Sequence, residues 1–476
     1  MSQKKYSMPS FIRTLSLKTA IAIVIGGVIG SGIFMKPAIM ALQLGSPWLL
    51  LSVWVVAGAI TLFGALSNAE VATMFPETGG QYVFFQKMYG DFFAFLYGWA
   101  AFSVFNTAGN ASIAYVLAQY SDYFLHLPHF SIETERSVAL HLPFIGTFYV
   151  LENIGVKSLT ITYVLLLTVL NYVSVKQSGA LQRFLTSLKV VAIVCLIIGL
   201  LFSKQGSLQH FSTTLPDAPE GWALMRAYIA AIAGAFWAYD GWNNITFVAG
   251  EIQNPQRNIP KSLFIGLVSS IVVYVLLNIV FIYMLPIADM AQSSFIAASA
   301  AQVAWGTTGA ALISLMVILS TLGSTNANIL STARVTFAMG QENRLFAWAG
   351  NIHPRFQTPA NALIFNVLWS IILILSGSFD MLTDMLIFVS WLFYGMSALG
   401  VLLLRSKMRD VPRPYRVWGY PIVPILFLLF TLFFLCTTLY TDINNYMTGK
   451  APIINSLLGL LIAGLGVPIY CLSKYK

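Results

Sequence analysis

The sequence predicts an all-α membrane protein of twelve transmembrane helices. Three observations carry that expectation: a composition too apolar for water, twelve apolar runs, and basic residues gathered in alternate connections. Of 476 residues, 58% are hydrophobic and 9% charged, with a mean hydropathy of +0.77, whereas soluble chains carry roughly a quarter charged side chains. A dispersed cytosolic enzyme is therefore excluded as the starting assumption. Net charge is +9, from 26 Lys and Arg against 17 Asp and Glu. Because the basic residues lie between apolar runs, they read as membrane topology and not as a nucleic-acid surface. The connections are too short for a second globular unit, so one transmembrane domain over 1–476 is expected.

Stretches able to cross about 30 Å of hydrocarbon at about 1.5 Å per residue begin near Leu17, Trp48, Phe92, Leu159, Phe184, Trp222, Leu263, Ala310, Ala360, Met381, Pro421 and Ile453. Between them, Lys4, Lys5 and Arg13, then Lys87, Lys176 and Arg183, Arg257 and Lys261, Arg344 and Arg355, the group Arg405 to Arg416, and Lys474 and Lys476 mark one side. That side is expected to be cytoplasmic, with both termini on it and the protein in the cell (inner) membrane. Residues 1–13 are polar and basic without a small-residue cleavage site, so they read as a cytoplasmic tail and not as a signal peptide. The opposite connections hold few basic residues (Arg136, Lys157, Lys204, Lys450) and carry Glu133, Glu135, Asp217, Asp289, Asp380 and Asp442. In the longest of these, 124–156, His126, His129 and His141 have no ligand spacing, and no metal is expected. Residues 293–305 read as a short amphipathic helix between spans seven and eight. Cys195, Cys436 and Cys471 are read as small apolar filler within or at the ends of apolar runs.

Two spans are chemically unlike the rest. The first contains Gly26, Gly27, Gly30 and Gly32, and each glycine costs an intact helix roughly 1 kcal/mol relative to Ala. Either the helix unwinds near 30–32, or Gly26 and Gly30 form a close-packing face. The sixth carries Trp237, Asp240, Gly241, Asn243 and Asn244 in mid-run, a set that is costly in lipid unless it lines a cavity. Interruptions in spans one and six fall at matching positions of two five-helix halves, 17–203 and 221–404, with 419–473 left as two further helices. Such a pairing points to an inverted-repeat transporter. Unwinding frees N–H groups at one half-helix and C=O groups at the other, which together suit a zwitterion. Ser31 and Gly32 are placed to offer N–H groups to a carboxylate, and the carbonyls of Val28, Trp237 and Asp240 to receive an ammonium. Glycine at 30 and 32 lets a ligand approach the main chain.

These residues together resemble the amino acid-polyamine-organocation superfamily and, within it, the L-type amino acid transporters. The resemblance rests on Gly30–Phe34, Trp237–Asn243, Glu251–Pro260, and Asn326 through Ser331–Arg334 to Gln341–Arg344 and His353-Pro354. It implies a leucine-transporter-like 5+5 fold, alternating access, and amino acid exchange or uptake. It also implies that Ser31 and Gly32 hold the substrate carboxylate, and that Val28, Trp237 and Asp240 hold its amine. Trp237 stands where the family usually has a Phe that closes over the substrate, so a smaller pocket is implied. Asp240 stands where many members have Gly, which keeps a cationic substrate open. Lys189 matches a lysine that sodium-independent relatives carry, and a fixed ammonium there would replace a bound sodium ion against span one; on spacing alone it snorkels to the interface. Structural cation and proton carrier both remain open for it. The family's subunit-linking cysteine has no counterpart, so a heavy-chain partner is not supported.

Among other polar residues, Asn68 and Glu70 are expected at the ordinary inner interface of span two and not in a gate. Tyr97, Trp99, Asn106 and Asn110 are assigned to helix packing, while Asn326 and Asn328 either reach the substrate or fasten helices. No nucleophile with a base appears, so an enzyme is not expected, nor is any cofactor. The expected function is sodium-independent transport of neutral L-amino acids, small ones favoured, with the lipid bilayer and the substrate as the only partners. A cationic amino acid or polyamine antiporter, or proton-coupled uptake, is the alternative.

Overall fold

In this computed structural model, residues 13–77, 79–341 and 347–474 are described. Lys4, Lys5, Arg344 and Lys476, the side chains of Lys176, Arg183 and Lys474, and the sequence match at 342–344 lie outside the described residues. Ser16 caps α1 (Leu17–Val28), its hydroxyl accepting the Thr19 amide at 3.4 Å. Helix α2 (Gly32–Leu44) follows at a 43° bend and ends at Gly45, whose φ of 61° suits a residue without Cβ. Pro47, with no N–H to lose at the first helical position, opens α3 (Pro47–Met74). A short α4 (Gln81–Tyr89) leads to α5 (Asp91–Ala100), which runs through a π-helical segment, Ala101–Asn106, into α6 (Thr107–Leu125).

The connection after α6 adds the one strand pair among the described residues to an otherwise helical fold. Besides α7 (Ile132–Ser137), it folds an antiparallel hairpin, β1 (Ala139–Leu142) and β2 (Gly146–Tyr149), in the register Ala139↔Tyr149 to Leu142↔Gly146. An isolated hairpin is marginal in water, and this one is held by neighbours distant in sequence. The Thr147 amide donates to the Pro452 carbonyl at 2.9 Å, and the Ile454 amide to the Ile145 carbonyl at 2.8 Å. Lys157, expected as an exposed loop charge, is buried on α8 (Ile154–Val173) and donates to the carbonyls of Tyr149 (3.0 Å), Val150 (3.3 Å) and Leu375 (3.3 Å). Those oxygens replace the water that burial removed.

The chain continues as α9 (Val175–Leu201), α10 (Gly221–Tyr239), α11 (Asn244–Phe247), α12 (Pro255–Met284), α13 (Ile287–Gln292) and α14 (Ile296–Gln341). Gly306, at φ 70°, breaks α14 and sets off residues 296–305 as a separate arm, where the short amphipathic helix was expected. Then come α15 (Ala360–Ser376), α16 (Phe379–Lys407), α17 (Ile422–Met447), α18 (Asn455–Gly464) and α19 (Gly466–Lys474). Among the described residues, eight helices are long and apolar enough to cross a membrane, or nine with the bent pair α1–α2 as one; Ser187–Leu201 and Ala360–Ser376 are shorter apolar helices. The chain is thus a multi-pass, almost wholly helical membrane protein, and every predicted span start falls in or next to a helix.

Helix α12 packs against α1 and α3, and α10 against α2 and α3, while α14 packs against α6 and α9 and α15 against α6 and α8. Buried amides fasten the second group: the Asn171 amide donates to the Asn326 carbonyl at 2.9 Å, and Asn328 to Asn110 at 2.9 Å. Two expectations change. Glu70 is not at a wet interface but 1% exposed, accepting two bonds from Arg405 (2.8 and 2.7 Å) and one from the Val417 amide (2.9 Å), with Arg413 at 3.5 Å. Burying a carboxylate is costly unless it is paired and hydrogen-bonded in this way. The three cysteines are free and face out of the bundle, so they do not fill the interior.

Candidate functional site

Helix α1 stops at Val28 and α10 at Tyr239, and the last turn of α1 meets the stretch after α10 backbone to backbone. A Cβ on Gly27 would stand 2.9 Å from the Gly241 carbonyl oxygen, and one on Gly241, itself at φ 94°, would stand 2.7 Å from that of Gly27. Only glycines permit this approach. Beside the contact lies a cavity of about 120 Å³ lined by Val28, Gly30, Ser31, Gly32, Trp237 and Asp240. Those are the six residues the sequence nominated for substrate.

Ser31 is buried, and its hydroxyl makes no capping bond to α2. The Phe34 amide donates to the Ser31 carbonyl at 3.0 Å, while the Gly32 and Ile33 amides open the helix with nothing before them in the ladder, and the positive end of the helix dipole lies there. On the other wall, the Asp240 carboxylate accepts the Tyr394 hydroxyl at 2.7 Å, and the Asp240 amide donates to the Trp237 carbonyl at 3.3 Å. The Val28 carbonyl accepts the hydroxyl of Tyr274, on α12, at 2.8 Å. The site therefore offers amide donors at one end, and carbonyls with a carboxylate at the other.

Lys189 on α9 is 3% exposed. Its ammonium donates to the carbonyls of Gly26 (3.3 Å) and Ile29 and to the Ser324 hydroxyl (3.4 Å), joining the interrupted first span to α9 and α14. It does not reach the cavity itself, nor does it snorkel. At the α2 end of the cavity, the Trp237 indole packs edge-on to Phe379 with centroids 5.1 Å apart. Lys36, 3% exposed, lies behind these rings: its ammonium is 5.7 Å from the Trp237 ring centre and 4.7 Å from that of Phe379, and 3.1 Å from both the Asp380 carboxylate and the Thr383 hydroxyl.

Sequence reasoning assigned no role to Lys36, Tyr274 or Tyr394. It also placed Tyr97 and Asn106 in helix packing, yet both line the cavity, whereas Asn110 and Trp99 do pack between helices. Asn328 lines the cavity while also bonding Asn110, and Asn326 accepts the Asn171 amide across helices. Lys36 did carry a signal: a lysine inside an apolar run with no acid near it in sequence.

A buried cavity in a bundle of membrane-crossing helices is where a solute would be held. The chain belongs to the amino acid permease family of the amino acid-polyamine-organocation superfamily; the family model, described as amino acid permease, matches residues 15–463. It is 31% identical to the serine/threonine exchanger SteT of Bacillus subtilis (strain 168) over 96% of each chain. Identity to the human cystine/glutamate transporter is 30%, covering 97% of this chain and 85% of that one. For the mouse large neutral amino acids transporter small subunit 2 it is 30%, over 97% and 81%. The family and these relatives are amino acid transporters and not enzymes.

The two glycines of the carboxylate end should respond differently to bulk. A Cβ on Gly30 points into open space, 3.8 Å from the Val28 carbonyl oxygen, whereas one on Gly32 stands 2.6 Å from the Cα and Cβ of Ala238. Gly30→Val is expected to melt like the wild type but to gain no stability from amino acids. Gly32→Val should lose about 1–3 kcal/mol through overpacking. Thermal melts of the two purified variants decide this, and equal melting temperatures would show that Gly32 is not a packing contact.

Proposed function

We propose that the protein is a sodium-independent secondary transporter of neutral L-amino acids, an exchanger working by alternating access, with alanine, serine and threonine favoured. The observation that carries this reading is the cavity itself: the start of α2 and the ends of α1 and α10 line one space, where helix-end amides and carbonyls suit the carboxylate and ammonium common to every amino acid. Lys189 supports sodium independence, since its tethered ammonium already bonds the carbonyls that an ion would have to hold together. The resemblance to a serine/threonine exchanger supports small substrates, as does the Trp237 indole over the cavity.

In this reading the nine candidate spans, the two shorter apolar helices and the α5–α6 run make twelve crossings. Residues 17–203 and 221–404 are inverted five-helix halves, with 419–473 added. Both termini face the cytoplasm of the cell membrane, and the Trp237, Phe379 and Lys36–Asp380 closure faces outward. The 124–156 connection contains no cysteine, which supports function without a disulfide-linked heavy chain.

Counterflow of labelled alanine in proteoliposomes, with and without a hundred-fold excess of arginine, tests the proposal. Arginine competing as well as serine would overturn the neutral assignment in favour of the second reading, a cationic substrate, which the Asp240 carboxylate on the cavity wall favours. Trp237→Phe enlarges the closed site, so the ratio of leucine to alanine uptake should rise several-fold, at about 1–3 kcal/mol per methylene-scale change in fit. An unchanged ratio would mean that Trp237 does not face the side chain.

A further inference from the structure

Tyr274 sits in mid-α12, wholly buried, one helix away from the cavity. Its hydroxyl oxygen is 2.8 Å from the carbonyl oxygen of Val28, the last residue of α1, and 2.8 Å from that of Ala238, in the last turn of α10. The phenol cannot swing aside, because its ring is held against Trp54 (centroids 5.2 Å apart) and Tyr239 (5.0 Å), and Tyr239 is itself tied by its hydroxyl to the Trp54 carbonyl at 2.9 Å. A tyrosine hydroxyl owns one hydrogen. Two buried carbonyls at equal distance therefore share one donor, and whichever is not served bears part of the cost of an unmet acceptor, about 1–3 kcal/mol.

Both residues line the cavity, and the substrate ammonium is proposed to sit at the Val28 carbonyl. We propose that the Tyr274 hydroxyl is a two-position hydrogen-bond switch that registers substrate. With the cavity empty, the hydrogen is divided between Val28 and Ala238. When an amino acid binds, its ammonium supplies the Val28 carbonyl and the Tyr274 hydrogen passes wholly to Ala238. That bond fastens the end of α10 to α12 at the residue following Trp237, so filling the site tightens the helix that carries the indole lid. Tyr274 is thus a positioning residue for the transport step and not a substrate ligand. The inference rests on the proposed placing of the substrate ammonium at Val28.

Tyr274→Phe removes the switch and keeps the ring. In full-length protein reconstituted into liposomes, its half-saturation concentration for alanine should stay at or below the wild-type value, since Val28 is no longer contested. Counterflow at saturating alanine should fall about tenfold, within the range of ordinary site-to-site coupling. Wild-type turnover in Y274F would overturn the switch, and so would a half-saturation value that rises in step with the lost rate, the mark of a merely structural bond. Should the variant fail to fold, the wild type carries the test: hydrogen exchange across residues 236–244 should slow with alanine but not with propionate, which has the carboxylate and lacks the ammonium. Equal slowing by both would refute the switch. A wild type stabilised by no amino acid would instead overturn the reading of the cavity, leaving the two failures distinguishable.

Discussion

Replacing Lys189 with alanine is expected to abolish exchange, and sodium is expected not to restore it. The ammonium serves the carbonyls of Gly26 and Ile29 where the first span is interrupted, and its removal leaves two main-chain acceptors without a donor in a place that water reaches poorly. At about 1–3 kcal/mol for each orphaned acceptor, the arrangement of α1 and α2 that holds substrate should become at least about thirtyfold rarer. Sodium takes several oxygen ligands, and the vacated space retains two carbonyls and the Ser324 hydroxyl. The wild type should accordingly run equally fast in sodium and in choline. Strong stimulation by sodium would refute the tethered-cation idea, whereas net uptake driven by an imposed pH gradient would make Lys189, or another titrating group, a proton carrier.

The second large effect is one of stability. Glu70 on α3 is the common acceptor for Arg405 on α16 and for the amide of Val417, with the Arg413 guanidinium 3.5 Å away as an ion pair. Glu70→Ala strands two guanidinium groups and an amide where the carboxylate was, and breaking a buried pair by deleting one partner costs about 3–5 kcal/mol. Because the Arg405 side chain is 21% exposed and stacks on Tyr420 at 3.5 Å, the low end of that range is expected. Glu70→Gln should be milder, since it keeps an acceptor for the Val417 amide. Unfolding of detergent-purified variants measures this. If Glu70→Ala unfolded like the wild type, the cluster would be a passive surface pairing.

Which features were legible in the sequence follows from where their causes lie. The helices were legible because an apolar run long enough to cross hydrocarbon has few other uses, and six of the residues lining the cavity because they lie where glycines and an aspartate interrupt such runs. Glu70 was misread because its partner Arg405 lies 335 positions away, and nothing local distinguishes a carboxylate destined for a buried pair from one that meets solvent. Tyr274 gave no signal: one tyrosine in an apolar helix looks like packing until two carbonyls are seen at its hydroxyl. Tyr97 and Asn106 were lost for a geometric reason. The π-helical segment Ala101–Asn106 shifts the helical phase, so the face that regular α spacing assigns to a neighbouring helix turns towards the cavity instead. The hairpin escaped notice because its strand edge is completed by residues 452–454, three hundred positions further on.

That hairpin gives experimenters a handle. Phe144, at its turn, is 89% exposed with a φ of 65°, while β2 behind it is fixed to the 452–454 segment and, through Lys157, to the end of α15. An epitope grafted at that tip would ride rigidly with the helices beneath it, so an antibody fragment bound there would serve as an alignment mark for imaging a protein that otherwise offers almost nothing outside the detergent micelle.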